Sequence, residues 1–253
     1  MTINVFHTIE GTGEPVVLIS GLGGRASFWD EVKKELLGRY QIITLDHPGV
    51  GQSPIVGDPN ISGIAEAVIE ILDHYKISAA HILGHSTGSL VTQCLALDYA
   101  DRVKSIVLSS GWAKPDQRFI DFFTYRKETL AVMGEYAYNE LTRYIAYPSE
   151  YYEYHFKKES DVVSADSPNK EMILKRIDML LSYSRLEELN SIQHSALVIG
   201  ANDDYVIPFL HSKQLFQAIG NAQLVELSGG HFTPKVKPAA YAEIVNKFWE
   251  AVR

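Results

Sequence analysis

The sequence predicts an α/β fold: a mostly parallel sheet flanked by helices and interrupted by one helical insertion. Three observations predict it. Short β-rich apolar runs alternate with longer stretches of helical period over residues 1–112, and the same alternation returns over 191–253. Between them, residues 113–190 are helical, polar and aromatic, with no convincing core strand. Strands that are apolar along their whole length belong to a sheet covered on both faces, which is how parallel sheets are built.

The elements follow in order. "INVFHTIEG" alternates as a strand does, and "GTGEP" turns it into the apolar run "VVLIS" at 16–20. "FWDEVKKELLG" has helical spacing and stops at Gly38. "QIITLD" is the next strand, and "HPGVGQSPIVGDPN" after it holds three Gly and three Pro, which excludes regular structure. Helix "ISGIAEAVIEILDHY", strand "AAHILG", helix "SLVTQCLALDYA" and strand "VKSIVLSSG" complete the first part. After the insertion come "SALVIGA", "PFLHSKQLFQAIG", "AQLVELS" and a last helix from about Pro238 to Val252. The expected organisation is a core of 1–112 and 191–253 with a helical cap of 113–190. Such a cap would lie over the sheet's C-terminal edge, where open α/β sheets place their ligand sites.

Composition narrows the function classes. The 253 residues carry a net charge of −8 and no cluster of Lys and Arg, so nucleic acid and anionic membrane are excluded as expected partners. Cys94 is the single cysteine, which rules out an internal disulfide and a thiolate metal cluster; its place in "LVTQCLAL" predicts a small buried residue on a helix. The N-terminus lacks signal-peptide character, and no apolar run approaches the roughly 20 residues that span a bilayer. A cytoplasmic protein acting on a small molecule is expected, with no cofactor and no metal, and with a homodimer left open.

Chemistry enters with Gly84-His85-Ser86-Thr87-Gly88, a G-x-S-x-G pattern between a predicted strand and a predicted helix. That context presents a serine on a tight turn whose crowding demands glycines; the plainer alternative is a strand-to-helix turn with Ser86 as helix cap. A serine hydroxyl needs a base, and the base needs an orienting acid. His7, His74, His155, His194 and His211 lack a glycine setting, whereas His231 in "VELSGGHFTP" sits on a Gly-Gly loop just after the last predicted strand. "VIGANDDYVIP" offers Asp203 and Asp204 directly after the strand before it. An oxyanion hole needs backbone N–H groups near the nucleophile; Thr87 follows the serine, and Leu22 in "SGLGG" lies on a glycine-rich loop after "VVLIS". "GLGG" lacks the spacing of a phosphate cradle.

"LISGLGG", "DHPGVGQS", "GHSTGS", "GANDDYVIP" and "SGGH" together resemble the α/β-hydrolase superfamily over almost the whole chain. The resemblance implies an eight-stranded, mostly parallel sheet with a helical cap, the first family strand being expected to be absent here. It implies the triad order Ser86, Asp204, His231, and it favours Asp204 over Asp203 because the family acid stands four residues before the proline, here Pro208. Two positions depart from the pattern: Ser20 stands where many relatives have His, and Pro48 where Arg is frequent. A narrower similarity, "ISGLGG", "LALDYADRVKSIVLSSGW", "RFIDFFTYRKETL" and "IAYPSEYY", resembles the aminoacrylate hydrolases of pyrimidine utilisation and is equally compatible with lactonases and esterases. Some of that group lack the serine that Ser86 supplies here.

The expected activity is therefore cofactor-independent serine hydrolysis of an ester, lactone or amide/carbamate-type bond. The alternatives are a carbon–carbon bond hydrolase or lyase on the same fold, and a non-catalytic ligand receptor. Nine of the fourteen tyrosines fall in the insertion; Tyr125 and Tyr144, with Trp29 after the oxyanion loop and Trp112 at the cap's start, are the expected pocket lining. Arg118, Arg126 and Arg143 are placed on a solvated helix face rather than against an anionic substrate.

Overall fold

The computed structural model describes residues 4–156 and 169–252. Its seven-stranded sheet consists of β1 (His7–Glu10), β2 (Glu14–Ile19), β3 (Tyr40–Leu45), β4 (Ala80–His85), β5 (Val103–Ser109), β6 (Ala196–Ala201) and β7 (Ala222–Leu227). The spatial order is β1-β3-β2-β4-β5-β6-β7. Only β1 is antiparallel, pairing His7–Glu10 against Leu45–Ile42 at the edge; every other pair is parallel.

Alternate residues of the central strands feed two cores, one on each face. Val16, Leu18, Ile42, Leu83 and Val107 pack against α1 (Asp30–Leu36) and α10 (Pro238–Ala251), with Trp29, Tyr241 and Trp249 filling that layer. Val17, Ile19, Ile43, Ile82 and Ile106 pack against α2 (Ile61–His74), α3 (Thr87–Asp98) and α8 (Phe209–Ala218). Two-sided burial is the reason the strands are apolar without a break. Asn60 starts α2 by accepting from Gly63 N at 2.7 Å, so the Pro-Gly loop ends at a side-chain cap. The helix predicted from "FWDEVKKELLG" divides: Ala26–Trp29 is a 3₁₀ turn and the α-helix begins at Asp30. Trp29 is wholly buried in that core, while Phe28 packs against its edge and lines the cavity.

Between β5 and β6 lie α4 (Gln117–Glu128), a π-helical turn at Thr129–Met133, α5 (Gly134–Ala146), α6 (Ser149–His155) and α7 (Lys170–Ser182). Asp116 caps α4 through Phe119 N at 2.7 Å. The aromatic stretch "SEYYEYH" forms α6, but the predicted insertion's residues 157–168 lie outside the described ones. No helix among the described residues is long and apolar enough to cross a membrane.

Cys94 is buried on α3, and its thiol donates to Asp98 Oδ2 at 3.2 Å. Burial and that neighbouring carboxylate push the thiol up to about 12, so thiolate is scarce at neutral pH. Ellman's reagent is expected to leave the native protein unmodified and to titrate Cys94 after denaturation; rapid native reaction would contradict the packing.

Candidate active site

The strand-to-helix turn after β4 holds Ser86 at φ 55°, ψ −117°, a left-handed backbone that a non-glycine residue adopts only under strain. Its neighbours explain how the strain is kept. A Cβ at Gly84 would lie 1.9 Å from Gly88 O, and one at Gly88 would lie 2.2 Å from Ile19 O. Only glycine permits both approaches. Ser86 N donates to Ser109 O at 2.8 Å, tying the turn to β5.

The loop after β7 brings His231 to this turn. His231 Nε2 is 3.1 Å from Ser86 Oγ, and Nδ1 is 2.8 Å from Asp204 Oδ2. The Asp204 side chain is wholly buried, and its Oδ1 accepts from Val206 N and Ile207 N, both at 2.8 Å. Those two bonds aim the carboxylate and leave Oδ2 for the imidazole; with Nδ1–H donating to it, Nε2 is the acceptor facing the Ser86 hydroxyl. Asp203 points the other way. It accepts from Gly229 N at 2.9 and 3.0 Å and from Gly230 N at 2.9 Å, clamping the loop that carries His231. His85 lies beside the imidazole, ring centroids 5.0 Å apart, and stacks on Phe28. Burial first, then the charges of His231 and Lys235, hold its pKa well below the ordinary histidine value, so it is neutral.

Ser86 and His231 open into a cavity of about 300 Å³. Leu22 lines it, and Gly21 is so near that a Cβ there would come 3.1 Å from Ser86 Cβ. Thr87 is the first residue of α3, where a helix leaves its backbone N–H groups without intrahelical partners. The loop of Leu22 is held from the inserted helices by Arg176 of α7. Arg176 Nε donates to Leu22 O at 2.9 Å, and Nη2 donates to His47 Nδ1 at 2.8 Å. Arg176 is fully buried; burial lowers its pKa to about 10, still a cation at neutral pH. Burial and the Arg176 charge keep His47 well below its usual pKa, which makes its ring an acceptor.

Residues 14–238 match a family model described as alpha/beta hydrolase fold. The chain belongs to the α/β-hydrolase family. This α/β hydrolase is 30% identical over 250 residues to "Putative carbamate hydrolase RutD" of Azorhizobium caulinodans, covering 97% of this chain and 94% of the relative. It is 33% identical over 234 residues to the protein of the same name from Variovorax paradoxus, covering 90% and 88%. Among solved structures it is similar to the enol-lactonase of Burkholderia xenovorans, with TM-score 0.87, 23% identity, and 97% and 96% of the two chains covered. It is also similar to MGS-M2, an alpha/beta hydrolase enzyme from a deep-sea metagenome library, with TM-score 0.90, 20% identity, and 97% and 94% covered. At these identities the two structures speak for the fold alone.

The expected aromatic lining of the hydrolase's cavity needs correction. Trp29 is wholly buried under the sheet against Tyr241, and Trp112 is wholly buried against Phe119 with a ring separation of 4.7 Å. Tyr125 and Tyr144 are 58% and 61% exposed on the outer faces of α4 and α5. None of the four lines the cavity; Phe28, Phe123, Tyr138 and Phe232 do. The three arginines also separate. Arg118 is exposed and donates to Tyr205 O, and Arg143 pairs with Glu140 at 2.8 Å. Arg126, against expectation, is buried and lines the cavity. A sequence signal for it exists: Phe119, Phe123, Arg126 and Leu130 recur at helical spacing on the buried side of their segment. Arg176 likewise stands in the buried stripe Met172, Ile173, Arg176, Ile177, Leu180. The mark of both is a cation inside an apolar stripe.

Among the described residues no group of three or more His, Cys, Asp or Glu is placed to hold a metal ion.

Proposed function

We propose that this member of the α/β-hydrolase family is a serine hydrolase, cleaving an acyl bond of a small substrate through an acyl-enzyme on Ser86. One observation carries the reading: the unbroken line Ser86 Oγ, His231 Nε2, His231 Nδ1, Asp204 Oδ2, with separations of 3.1 and 2.8 Å. Ser86 Oγ attacks the carbonyl carbon as its proton passes to His231 Nε2. Asp204 keeps Nδ1–H in place and stabilises the imidazolium, while the N–H groups of Leu22 and Thr87 receive the oxyanion. Collapse expels the leaving group, protonated by His231. Water, deprotonated by the same Nε2, then attacks the acyl-enzyme and releases the acid and Ser86. The inserted helices act as a cap, supplying Phe123, Arg126, Tyr138 and Ile173 to the cavity wall. A volume of about 300 Å³ limits the substrate to a small molecule.

The name shared by the two relatives puts carbamates first in the panel of bonds to test, with esters and lactones beside them. A fluorophosphonate probe is expected to label the protein at Ser86, and peptide mapping reads the site. Absence of labelling, or labelling elsewhere with undiminished turnover, would sink the assignment and leave the ligand-receptor alternative.

Arg176→Met tests the oxyanion arrangement. The unbranched apolar side chain fills most of the volume and removes both loop-holding bonds, and a replaced buried charge need not destabilise the fold. Loss of loop position is expected to lower kcat by about 10–100-fold with a smaller change in KM. An unaltered kcat would separate Arg176 from the oxyanion loop's function.

A further inference from the structure

The cavity's charge is opposite to that of the chain. Among the described residues, Arg25, Arg126 and Lys235 line it and no Asp or Glu does, although the net charge is −8. Arg25 is engaged by other protein groups. Lys235 Nζ stands 5.2 Å from the centre of the Phe28 ring, and burial lowers its pKa from the ordinary lysine range.

Arg126 is the informative member. It is 5% exposed, and its Nη2 donates to two neutral hydroxyls, Tyr138 Oη and Thr142 Oγ1, both at 2.8 Å. Nε is buried without a hydrogen-bond partner, and no carboxylate pairs with this guanidinium among the described residues. Its Cζ lies 4.7 Å from the Tyr138 ring centre and 5.4 Å from that of Phe123. Aromatic faces favour a cation, but they accept nothing from in-plane N–H groups that point elsewhere. A buried guanidinium normally has a counter-ion, because an unpaired one loses its hydration with no electrostatic return. Here the described residues supply hydroxyls and rings but no anion, in a cavity that also contains Ser86.

We propose that Arg126 is a carboxylate subsite, and that the substrate is an acyl compound bearing a second, anionic carboxylate away from the scissile bond. The inference rests on the reading of this cavity as the acyl-transfer site and adds the class of molecule it takes. A planar carboxylate matches the guanidinium's donors in shape and charge. Tyr138 and Thr142 fix the guanidinium's orientation before the ligand arrives, and the cavity size admits a short diacid derivative.

The experiment compares two esters of similar size, monomethyl succinate and methyl 4-oxopentanoate, in which a methyl ketone replaces the carboxylate. Wild type is expected to favour the charged ester by about 10-fold or more in kcat/KM. Arg126→Met is expected to lose that preference, and Arg126→Lys, which keeps the charge without the planar fork, to retain part of it. A second arm needs no turnover: succinate at constant ionic strength is expected to raise the Tm of wild type and of Ser86→Ala, but not that of Arg126→Met. The same ester preference in wild type and Arg126→Met would overturn the proposal. So would equal stabilisation of both by succinate, or none of wild type. If neither ester is cleaved and no fluorophosphonate label appears, the acyl-transfer reading fails alone, and the Tm arm still decides the subsite.

Discussion

Ser86→Ala is expected to lower kcat on short p-nitrophenyl esters by about 10⁴-fold or more, because in the proposed mechanism the hydroxyl that meets His231 Nε2 at 3.1 Å forms the acyl-enzyme. The substitution is expected to leave the fold intact, because the backbone bond from Ser86 N to Ser109 O does not involve the hydroxyl and alanine has the same Cβ. The strained φ of 55° persists, held by the contacts of Gly84 and Gly88. Residual catalysis from the oxyanion donors and from binding is expected to remain above the rate in water. KM is therefore expected to move far less than kcat. Turnover within a few-fold of wild type, with unchanged circular dichroism, would remove Ser86 from the mechanism and favour water activated directly by His231.

Asp204→Asn is expected to lower kcat by about 10⁴-fold with little loss of structure. The amide oxygen still accepts from Val206 N and Ile207 N, so the side chain keeps its place. Its NH₂ now faces His231 Nδ1 and donates to it, forcing the proton onto Nε2, where a donor meets the Ser86 hydroxyl instead of an acceptor. Asp203→Asn is the matched control. It weakens the three charge-assisted contacts to Gly229 and Gly230, each of which contributes about 1.5–3 kcal/mol at most. A Tm decrease of several degrees is expected, with a loss in kcat well below that of Asp204→Asn. Steady-state kinetics and thermal melts on the two variants decide the matter: if Asp203→Asn costs more kcat than Asp204→Asn, the roles of the two aspartates are reversed.

The two neighbouring aspartates also measure how much of the site can be read from the chain. Both follow β6 in "GANDDYVIP", and spacing from Pro208 favours one of them only by resemblance. The structure separates them because consecutive residues after a strand point in different directions: one meets His231, and the other meets the loop backbone one and two residues before it. Phe28 and Trp29 repeat the lesson. They are adjacent and both aromatic, yet one lines the cavity and the other is buried beneath the sheet. Tyr125 and Arg126 differ in the same way, by about 100° around α4, and the polar, charged one is inside.

By itself the sequence determined the α/β alternation of strands and helices, and it raised the break at 113–190 and the elbow at Ser86 with its partners after later strands as expectations. These are local facts: two-sided strand burial, glycines where backbones touch, and short loops directly after strands leave a signature in neighbouring residues. Tertiary structure decided which aspartate faces the imidazole, which aromatic residues enclose the cavity, and that Arg126 and Arg176 turn inward. The inward turn of the two arginines depends on how helices α4, α5 and α7 pack. A helix's inner face is defined by its contacts with distant segments, so a cation on an apolar stripe acquires its meaning only when those segments meet.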